Sequence, residues 1–445
     1  MRWTLLFLLL FLFILYLLSL RLPVMTGYAA KNLCSCVFIA GRDAGEVIAN
    51  DLNFSLVKFA KSKVDMEEKS VTSTVLGLKK RKAIYRPGLG CTLVTGYSEE
   101  EVRSQAFIPP AVKPDRPDTL RWPLGEVIPD TLPAGVNREK VDAAIAPFFD
   151  QPGAEPVHYT RAVVVVYKNQ LIAEKYAPGF DKDTPQLGWS MTKSITNAMI
   201  GILVKQGKLT LEQKNLFPEW EGDDRANITL NDLLHMSSGL KWREFYADLS
   251  PATRMLYKKG DMAEYVCSQK LEAKPGEHFE YSSGTSNLLQ ELIKQTVGDQ
   301  QSYWAFPRLE LFNKIGMRSA ILEPDASGTF VGSSYGFATP RDWARFGLLY
   351  LNQGNWEGAQ ILPEYWATYS STPAPASGGI YGAQFWLKDP TDLPDAPDDL
   401  YQCSGYQDQK VFILPSRELV IVRMGLNNGP SFNFNAFLNA VLASL

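Results

Sequence analysis

Two β-hairpin signals lie more than two hundred residues apart, and they constrain this chain more than any other feature. Arg161 to Val166 is a β-branched run, Asn169 marks a turn, and Leu171 to Tyr176 returns. Near the other end, Lys410-Val411-Phe412-Ile413-Leu414, a Pro415-Ser416-Arg417 turn and Leu419-Val420-Ile421-Val422 repeat the pattern. Between them the apolar spacing is mostly helical, over Met191 to Lys205, Leu230 to His235, Met262 to Cys267, Ser286 to Val297 and Pro340 to Leu351. Further helices are expected from Arg138 to Phe149 and from Phe432 to Leu445. Strands at the two ends with helices between predict an α/β (α+β) architecture: one antiparallel sheet flanked by helices, with a helical region inserted.

The flanking composition sets the organisation. Seven prolines fall between Pro109 and Pro133. At that density neither a helix nor a central strand can continue, so the segment reads as an extended linker or wrapping arm. The expected divisions are residues 1–22 as a signal-anchor or signal peptide, 23–134 as an N-terminal extension with its proline-rich linker, and 135–445 as the main domain. Within the extension only Cys91-Thr92-Leu93-Val94 reads as a strand.

Residues Leu5 to Leu20 form an almost unbroken apolar run, bounded by Arg2 and Arg21. Its length lies between a signal h-region and a full span, and no clean small-x-small cleavage site follows. An uncleaved membrane anchor is favoured over a cleaved signal peptide. Either places the rest of the chain outside the cytoplasm, in the periplasm on an inner-membrane anchor or secreted. Cys34 and Cys36 follow the run, and an oxidising compartment permits one of them to bridge Cys91. Cys34-x-Cys36 is too tight for a common zinc knuckle, and the chain has only three histidines, so no metal site is expected. With 45 basic against 48 acidic residues and no polybasic block, nucleic-acid binding lacks electrostatic support.

The chemistry is carried by Gly188-Trp189-Ser190-Met191-Thr192-Lys193-Ser194, which opens a helical segment stopped by Gly207. Ser190 therefore sits at a helix start and Lys193 one turn on, on the same face. A serine hydroxyl needs a neighbouring base to become a nucleophile, and a lysine serves once burial or positive charge lowers its pKa. The helix N-terminus favours a developing oxyanion. Alone, Ser-x-x-Lys also describes an N-cap serine followed by a surface lysine. Glu280-Tyr281-Ser282-Ser283, after a Lys274-Pro275-Gly276-Glu277 turn, adds a tyrosine able to relay a proton.

These segments, in order, resemble the serine β-lactamase-related hydrolases, in their class C branch and, within it, the 6-aminohexanoate-dimer hydrolase type. Ser190-Met191-Thr192-Lys193 resembles that family's first motif. Leu233 to Leu240 resembles its "LLxHxSGL" segment, and Tyr281-Ser282-Ser283 its tyrosine motif. Phe337 to Gly347 resembles the helix before its last strands, and Gly405 to Gln409 its third motif. Arg86-Pro87-Gly88-Leu89-Gly90-Cys91 is similar to a leader found on some members. The resemblance implies a β-lactamase-like sandwich and a serine hydrolase cleaving a small amide or ester, without cofactor. It implies Ser190 as nucleophile, Lys193 as base, Tyr281 as proton shuttle, and the backbone N–H groups of Ser190 and Tyr406 as oxyanion hole. Tyr246, Ser283 and Gly405 would contact substrate. A penicillin-binding peptidase or transesterase on cell-wall peptides, and a catalytically silent envelope binding protein, are the alternatives.

Two departures bear on substrate. Ser283 stands where class C enzymes carry asparagine, and Cys403-Ser404-Gly405 lacks the lysine that meets a β-lactam carboxylate. Gly332-Ser333-Ser334-Tyr335-Gly336 fits G-x-S-x-G, but no histidine follows it in the chain, so it reads as a loop that can line a pocket. His235 reads as structural. Asn53-Phe54-Ser55 and Asn227-Ile228-Thr229 are sequons by pattern only.

Overall fold

A computed structural model describes the chain except residues 1, 152, 154–156, 247–248, 428 and 430–431 and, inside the first helix, the side chains of 2, 4–15 and 17–18. Helix α1 runs over Arg2–Phe38. A four-stranded antiparallel sheet follows in simple meander order: β1 (Lys61–Asp65), β2 (Ser70–Val75), β3 (Leu78–Arg86) and β4 (Gly90–Val94). Sequence reading finds only the last of these strands. β3 opens on the exposed run Leu78-Lys79-Lys80, which hides the alternation a strand normally shows.

The two hairpins meet in one six-stranded antiparallel sheet. With α2 (Arg138–Ile145), β5 (Thr160–Tyr167) and β6 (Gln170–Tyr176) come first, and β7 (Trp386–Leu387), β8 (Tyr401–Gly405), β9 (Gln409–Leu414) and β10 (Leu419–Gly425) come last. The order is β7-β8-β9-β10-β5-β6, so C-terminal β10 pairs with β5, Val422 opposite Val164. Lys168 and Asn169 both take positive φ, 48° and 62°, the geometry of a tight two-residue hairpin. In the second hairpin Glu418 closes the turn at φ 49°.

Alternation along these strands separates two cores. Val164, Val166, Val411, Ile413, Val420 and Val422 face the main core. Val163, Val165, Phe412, Leu414, Leu419 and Ile421 face α2 and the C-terminal helix, Phe434–Ala443, through Val141, Ile145, Phe437 and Leu438. A residue period of two on a sheet covered on both faces gives this division.

The N-terminal extension is built into the main core. Ala29, Ala30 and Leu33 of α1 are fully buried in the cluster that also holds Val164 and Met191. Cys34 is disulfide-bonded to Cys91, which selects between the two pairings the sequence leaves open, and Cys36 is a buried free thiol. Lys31 Nζ meets Glu323 Oε2 at 2.5 Å with both side chains buried. The other oxygen of Glu323 accepts from Ser35 Oγ at 2.8 Å and from the Cys91 N–H at 2.6 Å. Asp51 bridges Arg42 and Arg161, tying the extension to β5.

The proline-rich segment wraps as an arm. Arg345 donates to the carbonyls of Pro123 and Gly125 and pairs with Glu126 and Asp342, while Arg341 pairs with Glu126 and Glu174. Among the described residues no helix is long and apolar enough to cross a membrane. The anchor expected over residues 1–22 falls largely on side chains outside the described set.

Candidate active site

Residues Gln186–Leu187 form a short strand paired with Gly336–Ala338, and the chain then turns through Trp189–Met191 into α3 (Thr192–Lys205). Trp189 sits at φ 48°, a costly left-handed conformation for a bulky residue, of the order of 1–3 kcal/mol. Close packing enforces the turn. A side chain at Gly188 would meet the Trp343 ring, and one at Gly405 would meet the Gly188 carbonyl 2.1 Å away. Gly405 thus lets strand β8 lie directly against the turn that carries Ser190.

Helix α3 is buried from Thr192 to Leu203, polar residues included. Sequence periodicity predicts an amphipathic helix. Its polar side is instead satisfied inside the protein: Ser194 Oγ donates to the Gln384 carbonyl at 2.8 Å, and Asn197 Nδ2 to that of Ala383 at 2.8 Å. Lys193 is accordingly no surface lysine. Its Nζ lies 3.1 Å from Ser190 Oγ, 3.0 Å from Ser283 Oγ and 3.0 Å from the Ser333 carbonyl. Burial lowers its pKa to about 8, against an opposing pull from Glu244.

Tyr281 precedes α4 (Ser283–Val297), whose N-cap is Ser282. Burial raises the Tyr281 pKa above the usual tyrosine range, against an opposing pull from the Ser190 side chain. The Lys193 ammonium stands 4.8 Å from its ring centre, and Trp386 and Tyr381 pack against the ring. Ser190, Lys193, Tyr281 and Ser283 therefore converge from two helix starts.

Glu244 is the member of this cluster that sequence reasoning gave no role. It accepts from the Ser283 N–H at 3.0 Å, Ser283 Oγ at 2.5 Å, Trp242 Nε1 at 2.6 Å and the Tyr246 hydroxyl. Tyr246 OH also lies 3.1 Å from Ser283 Oγ. The chain Lys193–Ser283–Glu244 links the buried ammonium to a carboxylate through one hydroxyl. A glutamate four residues past the "SGL" turn was the available signal, but nothing in the sequence aims it inward.

Ser190 opens onto a pocket of about 430 Å³ that Tyr246, Ser334 and Tyr406 also line. Tyr406 stands edge-on to Trp189 at 5.6 Å and stacks with Tyr246. The loop Gly332–Gly336 serves the site through the Ser333 carbonyl and Ser334, in keeping with its reading as pocket lining. His235 is buried against Tyr369, outside this lining. The third-motif lysine has no substitute on β8: Lys410 donates to Ser404 Oγ at 2.8 Å and lies over the Phe434 ring, while Arg341 and Arg345 hold the arm. Arg21 of α1 is the cationic residue among those lining the pocket. Among the described residues no cluster of histidine, cysteine and carboxylate side chains could hold a metal ion.

Comparison with known proteins places this geometry. The profile of the Beta-lactamase family matches residues 141–443. The 6-aminohexanoate-dimer hydrolase of Paenarthrobacter ureafaciens is 24% identical over 226 residues, 46% of this chain and 56% of that protein, so the match spans little more than half of that relative. A Bacillus anthracis protein assigned to the 6-aminohexanoate-dimer hydrolases superposes with a TM-score of 0.57 at 23% identity, over 72% of this chain and 86% of its own. A family VIII carboxylesterase superposes at 0.56 with 15% identity, over 69% and 97%. The chain belongs to the beta-lactamase family.

Proposed function

We propose that Ser190 is the nucleophile of an amidase or esterase that works through an acyl-enzyme. The observation that carries this reading is the buried Lys193 nitrogen 3.1 Å from Ser190 Oγ, with a pKa lowered to about 8. Neutral Lys193 takes the hydroxyl proton as Oγ attacks the substrate carbonyl carbon. The resulting oxyanion is held by the N–H groups of Ser190 and Tyr406, on segments brought together where Gly405 meets the Gly188 carbonyl. As the intermediate collapses, the departing amine or alkoxide receives a proton through Tyr281. Water then attacks the ester on Ser190, its proton passing back through the same groups, and the acid is released. Tyr246 and Ser283 border the reacting carbonyl, and Glu244 positions both.

Uncharged amides and esters fit a site without a cation on β8, and the relative named for a 6-aminohexanoate dimer supports an amide substrate. The Cys34–Cys91 bridge supports residence in an oxidising compartment, outside the cytoplasm. A fluorophosphonate probe tests the assignment. Wild-type protein is labelled on Ser190, and Ser190→Ala is neither labelled nor active on p-nitrophenyl acetate. Labelling of the Ala variant at another serine refutes the assignment. No labelling of either protein identifies a silent binding protein, and stable labelling by benzylpenicillin identifies a wall-peptide enzyme.

A further inference from the structure

The pocket beside Ser190 is not built by the hydrolase domain alone. Val24, Met25 and Tyr28 of α1 and Phe54, Leu56 and Val57 just beyond it form one side. All of them lie outside residues 141–443, which the family profile covers. Leu256 and Tyr257, on the helix Pro251–Lys258, line the pocket as well. Gly27 lets the two helices close: a side chain there would sit 3.2 Å from Tyr257 Cβ and 3.2 Å from Leu93. Tyr28 then stacks on Trp189, the residue before Ser190, with ring centres 5.9 Å apart and planes 19° apart, and meets Phe54 edge-on at 5.4 Å.

Among the described residues, and apart from tyrosine hydroxyls and the Trp189 indole N–H, Arg21, Ser55, Ser190, Thr253 and Ser334 bring polar side-chain groups to this wall. A cavity of about 430 Å³ with such a lining lies within the range of small-molecule sites and favours an aliphatic ligand. Its direction follows from the role proposed for Tyr281. Tyr406 lines it, whereas Tyr281, the proposed proton donor to the leaving group, and Trp386 beside it do not. The cavity therefore extends from the acyl side of the reacting carbonyl.

We propose that α1 and the segment after it make this an acyl-chain pocket, so that the preferred substrates are esters or amides of medium-chain aliphatic acids. The proposal rests on Ser190 being the nucleophile, and its test separates the two. On full-length protein, kcat/KM is measured for p-nitrophenyl acetate, butyrate, hexanoate, octanoate and decanoate below their aggregation limits. A rise of about three- to fourfold per added methylene is expected, corresponding to ~0.8 kcal/mol for each buried CH₂. Val24→Trp, which fills the pocket from α1, lowers kcat/KM on decanoate at least thirtyfold more than on acetate. Leu56→Trp, at a half-exposed position on the same side, is the second variant should the first fail to fold.

Binding of N-butyl decanamide and N-butyl butanamide to Ser190→Ala, by calorimetry, is independent of turnover. The decanoyl amide binds at least tenfold tighter, and Val24→Trp removes the difference. A flat chain-length series in a wild-type enzyme that the fluorophosphonate labels at Ser190 overturns the pocket and leaves the nucleophile standing. Preferential decanoyl binding in a protein whose Ser190 is never labelled supports the pocket and overturns the nucleophile. Equal loss on acetate and decanoate in both tryptophan variants also overturns the pocket.

Discussion

Replacing Glu244 by glutamine isolates the electrostatic setting of Lys193. The carboxylate reaches the ammonium through hydrogen bonds of 2.5 Å and 3.0 Å across Ser283 Oγ, so the two charges stand at most about 5.5 Å apart. At an effective dielectric of about 20 such a pair interacts by ~3 kcal/mol, and partial exposure of Glu244 reduces this. Removing the carboxylate charge deprives protonated Lys193 of that support while its burial remains, so its pKa falls below the present value of about 8 by roughly one unit or more. With Lys193 as the proposed base, catalysis requires its neutral form, so the basic rise of kcat/KM moves to lower pH by the same amount. Glutamine also puts an NH₂ group where Oε1 now accepts from the Ser283 and Tyr246 hydroxyls, because the Oε2 position faces the Ser283 and Trp242 N–H donors; both hydroxyls must turn to accept, and each hydrogen bond lost in doing so costs about 0.5–1.5 kcal/mol. The plateau rate is therefore expected to fall about tenfold or more even as the pH midpoint drops. The assay is kcat/KM on p-nitrophenyl acetate from pH 5.5 to 9.5, corrected for spontaneous hydrolysis. An unchanged midpoint with a lowered plateau would show that Glu244 merely packs. A midpoint moving up would refute the assignment of Lys193 as the base.

Three further outcomes are expected. Lys193→Arg keeps the positive charge but holds no neutral form at accessible pH, so ester hydrolysis falls by about 10²–10⁴, and near-normal rates would mean that another group activates the serine. Neutral esters are turned over with higher kcat/KM than nitrocefin, because a β-lactam carboxylate lacks its charge-assisted partner on β8, a loss of ~1.5–3 kcal/mol; a faster nitrocefin rate that Arg21→Ala abolishes would show that α1 supplies the missing cation. Replacing Cys34 and Cys91 by serine opens a loop with a sequence separation of 57, which on chain-entropy grounds costs ~4 kcal/mol of stability, and an unchanged urea midpoint would contradict the bridge.

Local chemistry made much of this protein legible in one dimension. β-branched runs flanking Asn169 and Pro415 specify hairpins whatever surrounds them, because the turn geometry is local, and both form where they were read. The closing helix, the helix Met262–Cys267 and the helix Pro340–Leu351 are likewise set by short-range spacing. The start of α3 put Ser190 and Lys193 one turn apart, and Tyr281 stood out by its motif. The lysine-rich face of β3 concealed a strand, since the pattern of a partly exposed strand is carried by its neighbours.

Only the tertiary structure decided what these residues face. Lys193 becomes a candidate base because α3 is enclosed on every side, and burial is a property of the neighbours rather than of the sequence around it. Glu244 acquires its role from four donors, with Ser283 39 residues away in the chain. Helix α1 belongs to the pocket because Lys31 finds Glu323 and Cys34 finds Cys91, contacts 292 and 57 residues apart. Sequence spacing fixes which side chains share a helix face or a strand face, but the desolvation that shifts a pKa and the walls that select a ligand arise from segments far apart in the chain.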